Sequence, residues 1–232
     1  LSFENTINIG TSGKTIASPL SRGNSIEVGE STTMRDIEMV AMDLSHLSDY
    51  FKLPLAGVIG SDLLNQYIVQ VDIDIHILRL YANENSNLSP KGNPYKIIGL
   101  ESGHIGIRLN VHLKKNTDPI PLVFKIDTAA DNYLTFHNTS VEELNLIEIA
   151  KKVRGQQGFG ADATIAHNLR GKIHKVAFDL LSKKNVPIVM EIDPINRRSK
   201  RLAHGLIGQA LLNEFNITYD LSRGLIYLEK RA

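Results

Sequence analysis

Apolar and polar residues alternate along much of the chain, the period of two that places every second side chain on one face of a strand. Strand-like stretches run over Ile97 to Leu100, His104 to Leu113, Leu122 to Ile126, Lys172 to Leu180 and Val186 to Ile192. Helical spacing is confined to short pieces such as Val141 to Val153. The pattern predicts a mainly β chain with few short helices. Within it, Gly57-Val-Ile-Gly-Ser-Asp-Leu-Leu-Asn-Gln-Tyr-Ile-Val-Gln-Val-Asp72 returns 148 residues later as Gly205-Leu-Ile-Gly-Gln-Ala-Leu-Leu-Asn-Glu-Phe-Asn-Ile-Thr-Tyr-Asp220. From Gly57 to Leu80, eight positions match Gly205 to Leu228 identically, which chance rarely produces. Each copy opens on Gly, two aliphatics and Gly, passes a short Leu-Leu turn and alternates as a strand. Two copies imply two similar lobes.

The same offset aligns Gly10-Thr-Ser-Gly13 with Gly158-Phe-Gly160-Ala, and Ser21-Arg-Gly23 with Leu169-Arg-Gly171. Glycines among strand-like residues suit a hairpin whose tip needs positive φ or close backbone approach. Between the copies, residues 83–94 are polar and rich in turn formers, and read as a linker. Residues 1–82 then form the C-terminal part of lobe one, and 95–232 a complete lobe two.

Composition narrows the chemistry. The chain has 232 residues, 42% hydrophobic and 22% charged, with no apolar run long enough to span a bilayer. Its 26 basic and 25 acidic residues create no global field for nucleic acid, and Arg197-Arg-Ser-Lys-Arg201 reads as a solvated loop. Zero cysteines exclude disulfides, thiolate nucleophiles and Cys-ligated zinc. The eight histidines show no metal-ligand spacing, so neither metal nor cofactor is expected. Gly13-Lys-Thr15 lacks the first glycine of a phosphate-binding loop, since position 8 is Asn. Nothing in these numbers fixes the compartment.

What remains is Leu122-Val-Phe-Lys-Ile-Asp127-Thr-Ala-Ala-Asp-Asn-Tyr-Leu-Thr135, an apolar strand delivering Asp-Thr into a turn of small residues. Taken with the glycine hairpin and the Gly205-Leu-Ile-Gly208 segment, it resembles the retropepsin-like aspartic peptidases. The duplication is similar to members with two repeats in one chain. The resemblance implies two retropepsin-like or pepsin-like lobes about a pseudo-two-fold axis, each supplying one aspartate to a shared water in an aspartic endopeptidase. It implies that Asp127 is catalytic, that Thr128, Ala129 and Ala130 form its turn, and that Thr128 bridges the lobes. Gly10, Gly13, Gly158, Phe159 and Gly160 fall where the family has its flap. Gly57, Gly60, Gly205 and Gly208 fall beneath the site, supporting the aspartate turns. The partner implied is a peptide or protein substrate.

Two departures follow. The family has Gly where this chain has Ala129, which strains the turn by about 1–3 kcal/mol if φ is positive and not if it is negative. Lobe one has no aspartate turn: 127 minus 148 falls 22 positions before Leu1. Asp43 and Asp62 occupy other places in the repeat and read as surface or capping residues. The expectation is an upstream segment, or a separate N-terminal peptide completing lobe one, that carries the second aspartate. The alternative is a catalytically inactive peptide-binding or assembly protein of the same fold.

Overall fold

The computed structural model describes residues 2–3, 5–9, 16–29, 32–84, 87–159, 165–178, 181–193 and 203–231. The chain is mainly β. It divides into two compact units: Leu1–Gln66 with Gly158–Ala166, and Tyr67–Gln157 with His167–Ala232.

The first unit holds a three-stranded antiparallel sheet of β1 (Asn5–Ile9), β2 (Ile16–Val28) and β3 (Thr32–Val40). Leu20, Met34 and Ile37 are its buried apolar side chains on β2 and β3. The β2–β3 register shifts between Ser21 and Asn24, so Gly23, at φ +66°, sits at a bulge rather than at a hairpin tip. Two short helices follow, α1 (Ser45–Phe51) and α2 (Ser61–Gln66). The Gln66 side chain donates to Arg35 O at 2.8 Å and accepts from Arg35 N at 3.2 Å, which ties α2 to β3.

The second unit is built on a closed ring of six strands. In ring order these are β8 (Ile105–His112), β9 (Ile120–Ile126), β14 (Gly205–Ile207), β10 (Leu134–Phe136), β13 (Leu181–Glu191) and β12 (Ile165–Phe178), which returns to β8. Alternation explains β8: Ile107, Leu109 and Val111 point inward and Arg108 and Asn110 outward. β10, paired between β13 and β14, is buried throughout. Phe124 and Phe136 meet edge to face at 5.3 Å in the centre. Two further strands flank the ring, β7 (Ile98–Gly99) and β11 (Lys151–Phe159).

The helix expected over Val141 to Val153 is replaced by α3 (Asn138–Glu143) and α4 (Leu146–Ile149), followed directly by β11. Asn145 takes the left-handed conformation between the two helices, and the apolar period continues through Val141 and Leu146 although the backbone direction changes.

A second sheet runs β5 (Ile77–Ala82), β4 (Tyr67–Asp72), β15 (Phe215–Asp220), β16 (Leu225–Lys230), β6 (Asn93–Lys96). The bounds of β15 and β16 are those of β4 and β5 plus 148. β4 and β15 pair antiparallel with Gln70 opposite Thr218, Val69 opposite Tyr219 and Val71 opposite Ile217. Gln70 and Thr218 are themselves 148 apart, so the pairing maps onto itself under the repeat offset. Phe178 of the ring packs against Tyr95 at 5.4 Å and Phe215 at 5.6 Å, joining the two sheets.

Candidate active site

Asp127 follows β9, a strand held on one side by β8 and on the other by β14 in parallel. Its backbone N donates to Ile207 O at 2.9 Å, extending the β9–β14 ladder by one bond past the last paired residue. The turn then closes on itself. Ala130 N donates to Asp127 O at 3.3 Å, and Ala129 N donates to Asp127 Oδ1 at 3.2 Å. That second bond satisfies one carboxylate oxygen locally, as Asp does in turns. Ala129 is absent from the residues with positive φ, so the alanine in place of glycine carries no left-handed strain.

The far side of the turn rests on Gly208. Gly208 N donates to Tyr133 O at 3.3 Å, and Gln209 N donates to Ala130 O at 2.6 Å. A Cβ on Gly208 would collide with Asn132 O and lie 2.8 Å from Ala130 O, and one on Gly205 would collide with Thr135 O. These contacts are to backbone, which cannot swing away, so only glycine fits. In the first unit the same pattern stands open. A Cβ on Gly57 or Gly60 meets nothing within 4 Å.

The other oxygen of Asp127 faces Lys125. Lys125 Nζ lies 3.2 Å from Oδ2, with both side chains largely covered, at 18% and 25% exposed. The strand period makes this contact legible after the fact, since residues two apart on β9 share a face. Thr128 and Ala129 are exposed and Ala130 is half-buried.

Of the flap residues, Gly158 lies in β11, and the side chain of Phe159 is outside the described residues, as are Gly10, Gly13 and Gly160 entirely. Asp43 accepts from Ser45 N at 2.9 Å ahead of α1, and Asp62 sits in the first turn of α2. Both positions suit carboxylates near helix starts.

Three features had no place in the sequence reading. His137 and Glu191 form a buried pair at 3.0 Å, joining the ends of β10 and β13. The Tyr133 hydroxyl donates to Glu214 at 3.1 Å, and burial with the adjacent Glu214 carboxylate pushes that phenol well above its ordinary pKa. A cleft of about 750 Å³ lies beside Asn132 and Tyr133, lined also by Lys152, Arg154, Arg170 and Lys172. The alternating positions 152/154 and 170/172 were the available signal for the cleft. Among the described residues, no cluster of His, Asp and Glu has the makings of a metal site, and no helix is long and apolar enough to cross a membrane.

Comparison with known proteins gives one finding of note. The chain is similar to a crystal structure of a retropepsin-like aspartic protease from Rickettsia conorii, at 18% identity and a TM-score of 0.39, over 60% of this chain and 100% of that one. Likeness at that level carries no argument about activity. No family model matches the chain, and no curated protein matches it.

Proposed function

We propose that this chain belongs to an aspartic endopeptidase, in which Asp127 and a second aspartate activate a water between them to hydrolyse a peptide bond. The observation that carries the reading is the mounting of Asp127. Its carboxylate stands at the end of a strand paired on both sides, with its backbone fixed by Ile207 O and its turn pressed onto Gly208. A rigid mount matters because the reaction needs its groups held to a fraction of an ångström. Two carboxylates brought close share one proton, since both cannot ionise cheaply. One then takes a proton from the attacking water while the other polarises the carbonyl, and their titration belongs to the pair.

Two further observations support the arrangement. The self-mapping register of β4 against β15 suits two repeats related by a two-fold axis. The open Gly57–Gly60 segment, with Val58 69% and Ile59 54% exposed, suits a place where a second aspartate strand is received. On this reading Lys125 gives up Oδ2 of Asp127 to the second carboxylate.

A second reading keeps the cleft and drops the chemistry. The Lys125–Asp127 pair favours it, because an ammonium on the carboxylate balances its charge without a second aspartate. The two readings separate on hydrolysis of an unfolded protein at acid pH by the natural polypeptide that contains these residues. The endopeptidase is expected to cut it and to be inhibited by a statine-type transition-state mimic. An absence of cleavage overturns the endopeptidase in favour of the binding protein.

A further inference from the structure

The cleft beside the aspartate turn is lined by four cations from two strands. Lys152 and Arg154 stand on β11, and Arg170 and Lys172 on β12. All four are exposed side chains, and all line the same cleft, together with Asn132 and Gln156. No residue lining it carries a carboxylate. Among the described residues, none of the four forms an ion pair with Asp or Glu. Carboxylates of the same unit are engaged elsewhere: Glu191 with His137, Glu214 with Lys183 and Asp127 with Lys125. Four like charges gathered in one concavity repel each other and focus a positive potential into it.

We propose that this cleft docks an acidic segment of a peptide, seating glutamate or aspartate side chains between the two cationic pairs. Position ties the cleft to the site. Asn132 lies five positions after Asp127, a reach of at most roughly 17 Å, which is the span of about five extended peptide residues. A peptide lying across Asp127 therefore places an acidic residue in the cleft within about five positions of the reacting bond. That positional statement rests on the endopeptidase reading, whereas the acidic preference does not. A nucleic-acid strand fits less well. It needs a long basic track and exposed aromatic faces for stacking, whereas the aromatic ring in this cleft, Tyr133, is 7% exposed with its hydroxyl held by Glu214, and the chain has a net charge of +1.

The test is binding, read by fluorescence anisotropy with a short dye-labelled peptide carrying a run of glutamates, and with its glutamine counterpart. The glutamate peptide is expected to bind at least about tenfold tighter at low salt, with the gap closing as added salt shortens the screening length. Arg154→Glu combined with Arg170→Glu is expected to abolish the preference, and the corresponding glutamine pair to reduce it. Lys91→Glu, a single charge reversal at an exposed residue that does not line the cleft, is expected to leave it intact. Unchanged thermal unfolding in the glutamine pair guards against a folding defect. Equal affinity for the two peptides, a preference that survives charge reversal, or tighter binding of a single-stranded oligonucleotide overturns the proposal. Cleavage that is indifferent to acidic residues removes this inference and leaves the endopeptidase standing; acidic-peptide binding without any cleavage does the reverse.

Discussion

Gly57–Gly60 and Gly205–Gly208 share the same Gly-aliphatic-Ile-Gly sequence and meet opposite fates. The second is β14, paired with β9 on one side and β10 on the other, with Ile207 at 0% exposure and both glycines pressed against neighbouring backbone. The first pairs with no strand among the described residues. Its Val58 and Ile59 are among the most exposed apolar side chains, and its glycines face open space. The difference lies in what surrounds the segment, since among the described residues no strand or aspartate turn encloses Gly57–Gly60 as β9, β10 and the Asp127 turn enclose Gly205–Gly208. Nearly the same local sequence thus yields a packed core strand in one place and an uncovered apolar segment in the other.

That contrast breaks most readily at the isoleucines. Ile207→Asp places a charge in a fully enclosed position and is expected to cost more than about 5 kcal/mol, comparable to the whole stability of a domain, so that no cooperative unfolding transition remains. In the 232-residue chain, Ile59→Asp is expected to change the stability measured by urea unfolding by less than about 0.5 kcal/mol, because its side chain is 54% exposed there. A large loss at Ile59 would mean that the first segment is covered after all.

The glycines sharpen the same point at smaller scale. Gly208→Ala must push its methyl into Asn132 O and is expected to cost about 3 kcal/mol in urea unfolding. Gly60→Ala meets nothing and is expected to be neutral within about 0.5 kcal/mol.

The smallest effect separates the two repeated hairpins of the second sheet. Asp74, at the turn of the first, accepts from Arg231 Nε at 2.6 Å and Asn216 at 2.8 Å on the second, and its pKa is lowered by those two hydrogen bonds, Arg231 foremost. A depressed carboxylate pKa stabilises the fold above the ordinary carboxylate range, and that stabilisation is lost as pH falls through the folded value. Asp74→Asn is therefore expected to lower thermal stability slightly near neutrality and to flatten its decline on acidification, the difference vanishing once pH falls below the folded value. An unaltered acid profile would remove Asp74 from the linkage between the hairpins.

Much of this arrangement was legible in the sequence. The alternation of β8 and β9 located strands within a residue or two, and the offset of 148 picked out the two glycine segments. Other features depended on pairing between residues far apart. The register of β4 against β15 joins positions 148 apart and leaves no local trace. The glycine motif read the same in both copies because the sequence does not say whether neighbouring strands are there to enclose it. Lys125 and the four cleft cations were visible as alternating positions, yet their meaning came only when β9, β11 and β12 were brought around Asp127 and Asn132. The expected long helix failed at Asn145, whose left-handed backbone interrupts an apolar period that otherwise continues.

The most direct measurement is the rate of peptide-bond cleavage by the natural polypeptide containing these residues, compared with its Asp127→Asn variant at acid pH. Asp127→Asn keeps the size and the turn while removing the ionisable oxygen. Cleavage is expected to fall by at least about a thousandfold, roughly 4 kcal/mol of transition-state stabilisation, with thermal unfolding little changed. Cleavage that continues undiminished in the variant would contradict the assignment of Asp127 to the reaction.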